Sequence, residues 1–298
     1  MRRIFRIVSL VLCLFLLSGC FSGNNSSKSQ TIQYECNHGL LNQDIYTTGL
    51  NYKGNPIELE YAFNNVNMDS NFGLMLFLNG KIQPFTLDEH SESNIHIVDL
   101  PKNTTSKSVN ISFNPIMGQR GETLQLFIIA LFDAGTDYHT PTLAPAFYHS
   151  LSQSLPISIY MEKDASVTAQ TTYTSLYSCN FSAGSPEAQN DATYDDIAFS
   201  GDLLSLDRKF EFSLTNASDI DTNYYIYAYV NNVPIEINEK GLFPLSCPAK
   251  SKITVTAKLL RSSIQDDDLF YVIAVPSQNI DIEHFQSTLK TKTLPLSE

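Results

Sequence analysis

Parts of this chain are written twice. Leu124–Ala130 (LQLFIIA) returns as Asp268–Ala274 (DLFYVIA), and Val109–Phe113 (VNISF) returns as Ile253–Ala257 (ITVTA). The two pairs share one offset, so everything between them aligns without a gap. Four looser matches keep the same order: Tyr34-Glu35-Cys36-Asn37 with Tyr177-Ser178-Cys179-Asn180, Tyr61–Asn65 with Phe212–Asn216, Leu74–Gly80 with Ile226–Asn232, and Ser154–Ile157 with Thr293–Leu296. Each match alone is weak, but their common order marks an internal duplication. Whatever fold the sequence specifies must therefore be adopted twice, by units long enough to bury cores of their own. The copies are expected at 33–163 and 174–298, joined by a linker at 164–173.

Within each copy the hydrophobic period is two. Ile57, Leu59, Tyr61 and Phe63 alternate with Glu58, Glu60 and Ala62, and Phe210, Phe212 and Leu214 alternate with Lys209, Glu211 and Ser213. This spacing puts one apolar set on one face of a sheet. Asn79-Gly80 separates two such runs and suits a tight hairpin, because both residues tolerate positive φ. Asn231-Asn232 can turn the chain in the same way, less comfortably. Leu124–Phe132 is apolar throughout, the pattern of a central strand covered on both faces. Some seven short strands in about 125 residues resemble an immunoglobulin-like β-sandwich. The expected fold is thus all-β, two related immunoglobulin-like β-sandwich domains in tandem. The Cys–Trp–Cys core of antibody domains is missing, since the chain has no tryptophan.

The first residues have a different logic. Arg2, Arg3 and Arg6 precede the apolar run Ile7–Leu17, which is too short to span a bilayer but has the length of a signal-peptide core. Leu17-Ser18-Gly19-Cys20 follows and resembles the lipobox of bacterial lipoprotein precursors. The resemblance covers residues 1–20. It implies removal of 1–19 by cleavage between Gly19 and Cys20, and a thioether-linked diacylglycerol on Cys20. Two acyl chains hold where one is marginal, at about 0.8 kcal/mol per buried CH₂. Residues 20–32, rich in Ser, Asn and Gly, read as a flexible tether. The expected location is the extracytoplasmic face of a cell membrane.

Charge narrows the partners. The formal net charge is −12, and loss of the three N-terminal arginines makes the remainder more acidic still. Such a surface repels phosphate backbones, so no nucleic-acid partner is expected. Apart from Cys20, the extracytoplasmic part holds Cys36, Cys179 and Cys247. A Cys179–Cys247 bridge would close a loop of about 70 residues and could stabilise by roughly 4 kcal/mol; free thiols are the alternative. Carboxylates cluster at Asp191, Asp195, Asp196 and Asp202, and again at Asp266, Asp267 and Asp268. Calcium asks for six to eight oxygens, so Asp195, Asp196, Asp266, Asp267 and Asp268 are its candidate ligands, against the simpler reading of a solvated acidic face. Asp133, Asp137 and His139 offer too few ligands, and His90 with His96 reads as a solvated pair on a loop.

Catalytic motifs are absent from the sequence: there is no GxSxG, HExxH, P-loop or GxGxxG. No cofactor is expected beyond the covalent lipid. The sequence points to a non-enzymatic binding or structural module of the cell envelope, meeting the membrane through its anchor and an envelope or extracellular protein or glycan through its domains. The alternative is a lipid-anchored solute-binding protein or envelope hydrolase.

Overall fold

Ile57–Asn64 pairs antiparallel with Ser106–Phe113, placing Leu59 opposite Ile111 and Tyr61 opposite Val109. Asn37–Leu40 and Thr86–Leu87 complete this four-stranded sheet. A second sheet runs Leu50–Tyr52, Ile157–Met161, Thr123–Phe132, Ser70–Leu78 and Lys81–Gln83, with His96–Leu100 and Leu151–Gln153 on its flanks. The structure, a computed structural model, describes residues 36–135, 150–165, 176–200, 204–205, 209–261, 268–277 and 286–297. Gly19, Cys20, Asp266 and Asp267 lie outside these residues, as do Asp137, His139, Asp202 and most of the expected linker.

The period-two pattern does what it should. Leu59, Tyr61, Phe63, Val109 and Ile111 meet Leu74, Leu76, Leu126 and Ile128 in one core, all nearly without solvent contact. Each large apolar side chain so buried contributes about 1.5–3 kcal/mol. The only helix among the described residues is the single turn Ile45–Thr48. The fold is all-β.

The second copy repeats the plan. Lys209–Asn216 pairs with Ser251–Arg261, and Thr222–Val230 pairs with Leu269–Pro276. Their inward residues (Phe212, Leu214, Ile226, Ala228, Val255 and Val272 among them) form a separate core. Leu74 faces Ala130 and Ile226 faces Ala274, so the central strand pairs share the register that the sequence offset implies. Both hairpins also turn alike. Asn79 and Gly80 have φ of 46° and 76°, and Asn231 and Asn232 have φ of 48° and 66°. Asn79 donates its N–H to the Gln125 carbonyl at 2.8 Å and accepts the Gln125 N–H on Oδ1 at 2.7 Å. Asn231 makes the same bracket with Leu269, at 2.9 and 2.8 Å.

Two of the looser matches shift. Phe212 stands opposite Val255 as Leu59 stands opposite Ile111, so Phe212 takes the place of Leu59 and not that of Tyr61. A slip of two residues keeps the same face inward, so hydrophobic pattern alone does not detect it. The Cys36 and Cys179 segments are not equivalent at all. Asn37–Leu40 lies beside Ile57–Asn64, whereas Tyr177–Ala183 lies beside Ser251–Arg261 and also pairs, parallel, with Val233–Ile237. That second pairing joins the strands of the second copy into one 12-stranded sheet. In the first copy the Gln83 side chain serves this edge instead. Its amide donates to the Asn114 carbonyl at 3.0 Å and accepts the Ile116 N–H at 3.0 Å; Pro115 between them has no N–H to satisfy.

The continuous apolar runs have their cause in a third core. Residues that alternate with the inward ones point the other way: Met75 and Phe77, Phe127, Ile129 and Leu131 from the first copy, Tyr227, Tyr229, Tyr271, Ile273 and Val275 from the second. The central sheets therefore pack back to back. Phe77 and Tyr227 meet at 5.5 Å between ring centroids, and Tyr229 stacks on Tyr271 at 5.0 Å. The Tyr227 hydroxyl donates to the Gly80 carbonyl at 2.9 Å and the Asn232 amide to the Ala134 carbonyl at 2.7 Å. Gly80 has a second reason to be glycine, since a Cβ there would come within 2.7 Å of the Pro276 carbonyl oxygen. Tyr34–Glu298 is one compact unit.

Candidate functional site

A histidine joins the two sheets of the first sandwich at their N-terminal edge. Asn37–Leu40 is the first described strand, and His38 sits opposite Phe63 in the ladder with Ile57–Asn64. Its ring turns inward among Phe72, Phe63 and Tyr61, with centroids 5.0, 6.0 and 6.0 Å away. Nδ1 lies 2.7 Å from the Tyr61 hydroxyl, on the same sheet. Nε2 lies 3.1 Å from Oγ of Ser152, which belongs to Leu151–Gln153 on the opposite sheet. A neutral imidazole has one donor and one acceptor nitrogen, so either tautomer gives both partners a bond.

Burial lowers the His38 pKa from 6.5 to about 4. Burial likewise pushes the Tyr61 phenol well above its ordinary value, with Tyr46 and Cys36 adding to the effect. These shifts decide the chemistry. Serine, histidine and a hydroxyl on the far nitrogen have the connectivity of an acyl-transfer triad. A triad needs its imidazolium stabilised, by a carboxylate as a rule, and His38 is held neutral. Burial makes His38 a weaker base than free imidazole, which disfavours taking the Ser152 proton. The cluster links neutral partners across the two sheets.

Of the carboxylates singled out in the sequence, Asp195, Asp196 and Asp268 lie among the described residues, and each has its own local partner. Asp195 accepts the Ala217 N–H at 2.7 Å, and Asp196 pairs with Thr215 along a strand. Asp268 is buried, taking the Tyr177 hydroxyl on one oxygen and the Asn231 amide on the other, at 2.5 Å for the amide. It ties the first strand of the second copy to its hairpin. Among the described residues no three His, Cys, Asp or Glu side chains gather as a metal site. His96 is buried, not solvated as its acidic surroundings suggested: Nε2 lies 2.8 Å from the Phe85 carbonyl oxygen, and burial lowers its pKa.

Cys179 and Cys247 are both unbridged, buried thiols, so the Cys179–Cys247 bridge is absent from the structure. Cys179 stands between Leu259 and Ile237, while Cys247 stands opposite Thr222 as Leu100 stands opposite Ser70. Cys247 thus fills a core position that leucine fills in the first copy, and burial keeps its thiol protonated. The set His38, Tyr61 and Ser152 carried no signal in the sequence, because three residues so widely separated have no spacing to recognise.

No protein-family model and no curated protein matches the sequence. Among solved structures, the periplasmic chaperone SfaE is similar at 11% identity and a TM-score of 0.24, covering 88% of this chain and 100% of that one. A chain of the Salmonella enterica SafA pilin–SafB chaperone complex is similar at 11% identity and a TM-score of 0.25, over 87% of this chain and 97% of that one. The E. coli chaperone DraB gives 9% identity and a TM-score of 0.25, over 88% and 95%.

Proposed function

We propose that this chain is a lipid-anchored, non-enzymatic binding or structural module of a bacterial cell envelope, held on the extracytoplasmic face by diacylglycerol on Cys20. The order basic, apolar, Ser18-Gly19-Cys20 carries the reading. The body suits such a role. Its central sheets are occupied by one another, which leaves polar outer strands for a partner. Glu58, Glu60 and Asn110 are exposed on one copy, and Asn180, Glu211 and Lys258 on the other. An envelope protein or glycan fits these surfaces, and the acidic balance disfavours nucleic acid. The lipid alone supplies membrane affinity, so the sandwiches need no apolar face toward the bilayer.

The test is metabolic labelling with a palmitate analogue in a bacterial host, with mass analysis of the N-terminal peptide. The wild type should carry label and begin at a modified Cys20. Cys20→Ala should lose all label and keep residues 1–19. Label persisting in Cys20→Ala would sink the proposal.

A further inference from the structure

We propose that His38 is an acid-released latch on the first strand, so that acidification frees Asn37–Leu40 from the sandwich and opens a sheet edge. Three observations converge on it. First, the strand is four residues long and lies at the edge of its sheet, so its attachment depends heavily on side chains. Second, His38 is the side chain that reaches across the sandwich, bonded to Tyr61 on one sheet and Ser152 on the other. Third, the pocket favours neutral imidazole: His38 is half-buried against aromatic rings. The pocket walls are Phe63, Phe72 and Tyr61, and the Tyr61 phenol bonded to the ring is in turn influenced by Tyr46 and Cys36. No carboxylate, lysine or arginine among the described residues contributes to the charge balance at the ring.

The sign follows from linkage. In the closed strand His38 titrates near 4; released into water it titrates near 6.5. The released form therefore binds a proton first, and closure weakens as pH falls from about 6.5 towards 4. Opening should rise about 30-fold between pH 8 and pH 5, with a limit of roughly 300-fold well below pH 4. Two consequences go together. The lead from the N-terminal segment lengthens by four extended residues, about 13 Å. The backbone of Tyr61–Asn64, paired with Asn37–Leu40 in the closed form, becomes an unpaired edge able to accept a strand from another chain.

Hydrogen exchange by mass spectrometry on the full chain in detergent, corrected for the intrinsic pH dependence of exchange, reads this directly. The peptide spanning Asn37–Leu40 should lose protection about 30-fold from pH 8 to pH 5, while one spanning Leu74–Leu78 stays unchanged. His38→Gln, which keeps a donor and an acceptor, should flatten the response. Ser152→Ala should raise opening at pH 8 and leave its pH dependence in place, which keeps the test alive if His38→Gln folds poorly. A wild-type profile flat between pH 8 and 5, or an undiminished response in a folded His38→Gln, would overturn the latch.

Discussion

Phe77→Ala is expected to cost about 3–5 kcal/mol of stability, the range for emptying a fully packed aromatic site. Phe77 has no solvent exposure and lies in the core shared by the two copies, opposite Phe127 on the neighbouring strand and against the Tyr227 ring of the other copy. Its loss leaves a void bounded by two sheets that are each pinned by their own sandwich, so little collapse can refill it. Urea unfolding followed by circular dichroism gives the number. Glu58→Ala, at an exposed side chain, is the control and should stay within about 0.5 kcal/mol of wild type. A Phe77→Ala cost equally small would mean that the shared core is not packed in solution.

Asn216→Leu should cost about 3–4 kcal/mol despite adding apolar volume. Asn216 is fully buried, and its amide donates to the carbonyls of Ile220 and Cys247 at 2.9 Å each and of Pro248 at 3.1 Å. Its Oδ1 accepts the N–H and the hydroxyl of Ser218, at 3.0 and 2.7 Å. One side chain thus closes the turn after Lys209–Asn216 and fastens it to Phe243–Cys247. Leucine strands several of these groups, at about 1–3 kcal/mol for each left without a partner. Asn216→Asp is the sharper form of the test. A carboxylate keeps the Ser218 bonds but faces three carbonyl oxygens, so the variant should be unstable at pH 7 and partly recover in acid, where the protonated group regains a donor. Equal instability at both pH values would argue against the network.

The duplicated architecture was legible because β-structure repeats in both period and register. The common offset of Val109–Phe113 and Leu124–Ala130 to their copies reappears as matched pairing, Leu74 with Ala130 and Ile226 with Ala274. The turn residues Asn79, Gly80, Asn231 and Asn232 adopt the positive φ their chemistry allows. Edges were harder to read. The first strands join opposite sides of the equivalent strand pair although both segments carry a Cys-Asn pair, and in the first copy Gln83 bonds the Asn114–Ile116 backbone instead. The back-to-back core was half visible. Leu124–Phe132 announced a strand covered on both faces, but period-two logic cannot say that the cover is the other copy. His38 was invisible for a different reason: its partners are set by which sheet edge comes near, and no local pattern encodes that.

If the shared core makes the two sandwiches one body, they must unfold together. Denaturant-dependent hydrogen exchange on the full chain follows Leu74–Leu78 and Tyr227–Val230 in a single experiment. Coincident midpoints and slopes for the two peptides are the predicted result. Two transitions, one sandwich melting while the other keeps its protection, would contradict it.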